Sequence, residues 1–347
     1  IEQRDAHLLP SSIASTTEVK AGFEAMYNQQ QMYYKNYLNQ QNDEYTKQIK
    51  GILKNRKFKG IVIYPTAVHW EPMQRPQQFL REFAKKGYLC FFCAPYDGEF
   101  SIKEYEENLF IVNKDAALLS VVRNKYCIVL CTWQGQKAFI DLLPQKLLWY
   151  DLLDQLEFFA DTDAKTIEAH YQTLEQADIV TYSADKLHKY VSKRADAIIL
   201  PNASNIADFI QEKDISKKGV VLQGIKNRKV IGYFGAIEEW FEIDLINQLA
   251  ERNKDWLFVI IGHVGASIKF KKLENIRLIG KVDYNKLVDY ASLFDVGTVP
   301  FKINDLTDCV SPVKYFEYRA LGIPVVTTGI HEMKKFSNDY GVYIGDN

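Results

Sequence analysis

From residue 58 onward, short apolar runs alternate with longer stretches whose apolar residues recur at helical spacing. The runs predict strands at 61–64, 88–93, 109–112, 127–131, 147–151, 179–182 and 197–200. A second series follows at 230–234, 257–261, 276–279, 296–300, 325–327 and 342–344. Helices fit between most of them, at 77–86, 164–176, 242–253, 284–292 and 312–321. Strands that are apolar along their whole length belong to parallel sheets covered by helices on both faces. Two such series, parted by the polar stretch 203–228, predict an α/β chain with two doubly wound, parallel-sheet, Rossmann-like domains. Residues 58–202 form the first, 229–347 the second, and 203–228 the linker. Ligands of such sheets sit at the carboxyl ends of the strands.

Residues 1–57 follow a different pattern. The stretch 18–54 is rich in Gln, Asn, Tyr and Lys, with Tyr34, Tyr37, Leu38 and Tyr45 at roughly helical spacing. It predicts one long polar helix, an N-terminal helical extension or linker. That helix is either a solvated cap or a docking element for a partner or an adjoining catalytic domain.

A chain of 347 residues can hold two full cores. With 47% hydrophobic and 25% charged residues, its composition is that of a globular protein. A net charge of −1 gives no global attraction to nucleic acid, so none is expected as a partner. No apolar run reaches the length of a membrane span, and the first residues lack signal-peptide architecture, so a cytoplasmic location is expected. Five cysteines fit a reducing compartment. Cys90 and Cys93, three apart on a strand, point to opposite faces, and Cys127 and Cys131 lie roughly 13 Å apart. Both pairs therefore read as buried thiols, with no metal or redox site.

The densest chemistry lies in Ser311-Pro312-Val313-Lys314-Tyr315-Phe316-Glu317-Tyr318-Arg319-Ala320-Leu321-Gly322-Ile323-Pro324-Val325-Val326-Thr327. Ser311 suits an N-cap and Pro312 the first helical position, while Gly322 ends the helix. Free N–H groups and the positive end of the dipole suit a phosphate at this helix start. Lys314 adds a mobile cation in the first turn. One turn on, Glu317 could accept hydrogen bonds from a sugar diol.

This segment resembles the donor-binding helix of GT-B glycosyltransferases of the retaining family-4 type, with its S/N-P-x-K-x-x-E-Y-x-A-x-G-x-P-V-V pattern. The resemblance implies that Ser311, Pro312, Val313 and Lys314 hold the donor's phosphates and Glu317 its ribose. In the family, the loop that Gly-Tyr-Phe-Gly-Ala (232–236) resembles faces the donor's sugar and phosphates, which implies that place for Gly235. Asp255-Trp256, Leu257 to Ile261, Gly262 and His263 resemble the next segment of the family, whose loop lies near the nucleobase; His263 or Lys281 could contact base or ribose. Two positions differ from the pattern. Eight residues before Glu317, where many members carry an acid, stands Cys309, with Asp305 and Asp308 as nearby candidates. After the domain's first strand, Ala236-Ile237-Glu238-Glu239-Trp240-Phe241 replaces the usual Arg and Lys. The charge of the departing diphosphate then falls to Lys314, Lys302 and the helix dipole. The pattern Y-F-G-A-x-x-x-W-F-x-x-D-L is similar to a bacterial subgroup of teichuronic-acid and polysaccharide glycosyltransferases. GT-B enzymes usually continue past the last strand with a helix that crosses back; this chain stops at Gly345-Asp346-Asn347, where that helix would begin.

The first domain fits the same subgroup. His69-Trp70 through Arg75-Pro76-Gln77-Gln78 opens a helix after the first strand, and Arg75 could bind a phosphate or acceptor anion, or pair with an acid. Tyr150-Asp151-Leu152-Leu153-Asp154 ends another strand. Asp154, or second to it Asp151, could orient an acceptor hydroxyl or act as a base, or cap a helix. Asp161-Thr162-Asp163 spells D-x-D, yet it precedes a helical run, and N-capping accounts for it. No metal spacing appears among the histidines, and no metal or cofactor is expected. Lys54, Arg56, Lys57 and Lys59, and separately Lys269, Lys271 and Lys272, read as solvated surface. A lipid-linked acceptor would place such patches near an anionic membrane at the inner face of the cell envelope. The resulting expectation is a hexosyltransferase moving a sugar, with retention, from a nucleotide diphosphate-sugar (a UDP-sugar first) to a glycan or lipid-linked acceptor. Its rivals are a non-catalytic GT-B partner module and a GT-B sugar-nucleotide epimerase.

Overall fold

The structure, a computed structural model, describes residues 22–39, 43–158, 162–210 and 228–345. The first residues of the N-terminal extension, most of the 203–228 linker and Asp161 of the D-x-D lie outside the described residues. Two compact units are present. The first holds the described residues up to Ser183 together with Leu187–Leu200; the second holds Ala184–Lys186 and the described residues from Pro201 onward.

In the first unit the strands are β1 (Ile61–Tyr64), β2 (Leu89–Cys93), β3 (Ile102–Glu106), β4 (Leu109–Val112), β5 (Cys127–Cys131), β6 (Lys146–Leu152), β7 (Ile179–Tyr182) and β8 (Ile198–Ile199). They form one sheet in the order β3-β4-β2-β1-β5-β6-β7-β8, parallel except where β3 meets β4. β1 and β2 are buried at every position, which only a sheet covered on both faces allows. β3 is absent from the sequence-based expectation. Its Ile-Lys-Glu-Tyr-Glu carries no apolar run, because it is an edge strand with its three central residues exposed.

Where one helix was expected over 18–54, the chain makes two, Phe23–Asn39 and Glu44–Asn55. Asp43 separates them: its carboxylate caps the second helix by accepting from the Thr46 N–H at 2.8 Å. The first helix rests on the chain's own first unit through Gln31, Tyr34 and Leu38. Tyr34 donates to Asp115 at 2.7 Å, Gln31 to the Ala138 carbonyl at 2.7 Å and Tyr27 to Asp141 at 2.8 Å. Lys114 locks the second helix: its ammonium sits 3.0 Å from Asp43 and over the rings of Phe100, Tyr45 and Tyr37.

The second unit contains β9 (Lys229–Phe234), β10 (Trp256–Ile261), β11 (Ile276–Gly280), β12 (Val296–Val299), β13 (Val325–Thr328) and β14 (Val342–Gly345). These strands pair in parallel, in the order β11-β10-β9-β12-β13-β14. Two glycines let aromatic rings close this core. A Cβ on Gly232 would fall 2.0 Å from the Phe294 ring, and one on Gly297 2.6 Å from the Tyr318 ring.

Candidate functional site

The residues that carry donor chemistry gather at the carboxyl edge of the second sheet. Gly235 follows β9, Gly262 and His263 follow β10, and Lys302 follows β12. The helix Val313–Ala320, which precedes β13, points its N-terminus the same way. The first two loops are zipped together beyond the strands: Gly235 N–H donates to the Ile261 carbonyl, and Ile237 N–H to that of His263, both at 2.8 Å. Such closeness requires glycine. Gly262 has φ +139, and a Cβ there would sit 2.0 Å from the Gly235 carbonyl oxygen.

Gly235, at φ +129, makes room for Lys314. A Cβ on it would lie 2.2 Å from Lys314 Cε and 2.6 Å from Nζ. The ammonium hangs 5.5 Å from the Tyr233 ring centroid and 5.9 Å from that of Phe301. Burial depresses its pKa, and Glu317, one turn further along the helix, works against that shift. Glu317 is itself buried, at 7% exposure. Burial pushes its carboxyl up to about 7, Lys314 pulls it down and Asp208 adds to the rise. The helix therefore presents a cation and, one turn on, a carboxyl poised near neutrality. Tyr318 anchors it from below, its hydroxyl donating at 3.4 Å toward the carbonyls of Gly232 and Thr298.

The cap differs from the sequence-based expectation. Pro312 is the N-cap and helical geometry starts at Val313. Ser311 is buried, and its hydroxyl accepts from the Asn202 N–H at 3.2 Å while its carbonyl accepts from the Asn202 side chain at 2.6 Å. The serine thus fixes the entry to the helix, leaving the first-turn N–H groups without a side-chain cap. Cys309 is 3% exposed, in the short turn before that entry. Nearby Asp308 accepts from the His331 N–H at 2.8 Å, and Asp305 is exposed. In the segment after β9, where the family pattern carries Arg and Lys, Glu238 lies 3.7 Å from His263 Nε2. Gly265 permits this pairing, since a Cβ there would meet Glu238 at 2.0 Å. The Tyr233 wall and the Gly262 crossing escaped sequence reasoning; the glycines at both strand ends were the signal for the crossing.

In the first unit, His69 is exposed in the loop after β1, whereas Trp70 is buried between Phe92 and Tyr105, with centroids 5.0 and 4.4 Å away. Gln77 holds this loop by donating to the carbonyls of His69, Trp70 and Pro72. Arg75 forms a two-pronged pair with fully buried Asp151, at 2.7 and 3.0 Å, and stacks on Phe79. The guanidinium and Asp151 are thus spent on each other. Asp154 lines a small pocket with Thr132, Trp133 and Gln134. Gln134 is fixed behind it: it donates to Tyr150, whose hydroxyl donates to His170 Nδ1, with Nε2–H donating to the Tyr190 carbonyl. Asp163 caps the helix Ala164–Gln176, as expected, accepting from Thr166 N–H at 2.7 Å.

Among the described residues one carboxylate–histidine group has metal-like spacing, Asp185, His331 and Glu332. Lys335 sits among them, 2.8 Å from Asp185 and 2.7 Å from Glu332, and supplies their countercharge. No described helix is long and apolar enough to cross a membrane.

Two features now decide the fold: a pair of parallel-sheet units, and the helix Val313–Ala320 at the carboxyl edge of the second sheet. Sucrose-phosphate synthase from Thermosynechococcus elongatus superposes with a TM-score of 0.63 at 12% identity, covering 82% of this chain and 86% of that one. Anabaena Alr3699/HepE in complex with UDP gives 0.56 at 13% identity, over 83% and 85%. The fold is that of GT-B glycosyltransferases. In sequence, TuaH of Bacillus subtilis, named provisionally as a teichuronic acid biosynthesis glycosyltransferase, is 29% identical over 182 residues. That match covers 50% of this chain, which spans about half (45%) of the length of TuaH. No family model matches the chain.

Proposed function

We propose that this chain is a glycosyltransferase that moves a sugar from a nucleotide diphosphate-sugar, a UDP-sugar first, to a glycan or lipid-linked acceptor of a bacterial surface polysaccharide. The observation that carries the reading is the Lys314–Glu317 helix with Gly235 folded against the lysine. It joins a cation, first-turn N–H groups and a buried carboxyl within one turn, the chemistry that a diphosphate and its ribose require. Support comes from HepE, whose structures hold UDP and UDP-glucose, and from the teichuronic acid assignment in the name of TuaH. In this reading Lys314, Lys302 and the helix start receive the charge of the departing diphosphate, and Glu317 accepts from the ribose. Gly235 and His263 border the donor. Asp154 orients the acceptor hydroxyl, exposed His69 contributes to acceptor binding, the configuration is retained, and no metal is required.

A second reading, a nucleotide-binding module without transferase activity, is favoured by two observations. Cys309 is buried where an acid would contact the sugar, and Glu238 stands where cations would meet the phosphates. Thermal stability of wild type and Glu317→Ala across UDP, GDP, CMP, ADP and dTDP tests the donor site. At a hundred times its dissociation constant, the right nucleotide stabilises by about 2.7 kcal/mol, and the variant loses that gain. No response to any of the five would overturn both readings. A response without release of nucleotide from its sugar, across a panel of acceptors, would leave the second.

A further inference from the structure

The fold assembles a basic rim on the amino edge of the first sheet, opposite the strand ends where ligands of such sheets bind. The order β2-β1-β5 sets three entry loops side by side: Ile61 pairs with both Leu89 and Cys127, and the Lys59 N–H donates to the Gly87 carbonyl at 2.9 Å. Those loops carry Lys86, then Lys57 and Lys59, then Arg123 and Lys125, all exposed, residues that lie far apart in sequence. The helix Glu44–Asn55 runs into the same edge. In its last two turns the exposed Lys50 and Lys54 fall, at about 100° per residue, within roughly 40° of arc, flanking the apolar side that packs on the unit. None of these seven cations forms an ion pair with an acid among the described residues; nearby Glu82 is taken by Lys85 and Arg56 by Glu104. Exposed Glu107 flanks the rim on one side. Tyr126, 63% exposed, stands within it.

We propose that this amino edge rests on the anionic surface of a lipid bilayer. The whole chain carries no general excess of cations, its net charge being −1, so the attraction comes from this local group alone. They form a broad rim on long, flexible stems around a half-polar ring, which suits a plane of headgroups better than a shaped ligand. Each lysine near such a surface contributes about 1 kcal/mol, so a handful suffices for reversible docking at low salt.

The test is vesicle co-sedimentation, independent of sugar transfer and therefore of the donor-site reading. Wild type should bind phosphatidylcholine vesicles that contain phosphatidylglycerol, ignore pure phosphatidylcholine, and be released as salt shortens the screening length. The triple variant Lys57→Glu, Lys59→Glu, Lys125→Glu should bind about a hundredfold more weakly. Lys269→Glu with Lys272→Glu, in the second unit, should bind as wild type does. If the charge reversals lower the melting temperature, the glutamine versions of the same three sites serve instead. Equal binding to neutral and anionic vesicles, or an unimpaired triple variant, would overturn the proposal. Capture by heparin beads without binding to anionic vesicles would overturn it too, and would point to a soluble polyanion.

Discussion

Lys314 and Gly235 act as one device, because the lysine side chain occupies the space that any other residue at 235 would fill. Gly235→Ala forces either the loop or the lysine to move, in a backbone conformation that costs roughly 1–3 kcal/mol for a side-chain-bearing residue. The expected outcome is a lowered melting temperature together with at least a tenfold loss of UDP affinity by calorimetry; unchanged affinity would separate Lys314 from the phosphates. Glu317 gives a pH signature. Its carboxyl is raised in the fold to about 7, so its contribution to stability is complete below its unfolded value near 4.5 and is lost as pH rises through 7. Ligand binding runs the other way, since an ionised carboxylate is the stronger acceptor for a ribose diol. From pH 6 to 8, UDP affinity of wild type relative to Glu317→Gln should rise about fivefold, the ratio cancelling ionisation of UDP itself. A flat ratio would remove Glu317 from the ribose.

At the scale of elements, Arg75 and Asp151 join the start of the helix Arg75–Lys85 to the carboxyl end of β6 inside the first unit. Removing one partner of a buried ion pair leaves an uncompensated charge, typically at 3–5 kcal/mol, whereas replacing both with apolar residues is often neutral. Arg75→Ala should therefore destabilise the protein by about that amount in urea, and Arg75→Met with Asp151→Leu should recover most of it. If Arg75→Ala keeps full stability and loses only acceptor affinity, the guanidinium serves a ligand instead. The N-terminal pair of helices is a second case. Tyr34 donates to Asp115, whose own pKa burial raises, and Thr66 donates to the same oxygen. Tyr34→Phe should cost about 1–3 kcal/mol by leaving that acid with one donor fewer. Sequence spacing could show that Tyr34 recurs on a helix; it could not show an acid eighty residues away waiting for its hydroxyl.

For the whole molecule, the central parallel strands such as β1 and β2 were legible because they are apolar and buried on both faces. What escaped was what neighbours decide. β3 is polar because only one of its edges is paired, the break at Asp43 needed a cap rather than a change of hydrophobicity, and Ser311 turned from cap to latch because Asn202 reaches it. The candidate donor site was readable as a motif, since Lys314 and Glu317 lie one helical turn apart, but its closure by Gly262 and Tyr233 depends on strand order. That closure makes a spatial prediction. A nucleotide held by the Val313–Ala320 helix must touch backbone from three separate segments, the loops after β9 and β10 and the helix's own first turn. Hydrogen exchange with and without UDP should then show added protection in 233–238, 262–265 and 313–317 together, since one ligand orders all three. The edge strand β14 and the amino edge of the first sheet should exchange at unchanged rates. Protection of the helix without the two loops would mean that the ligand sits on the helix start alone and that the glycine crossing serves packing.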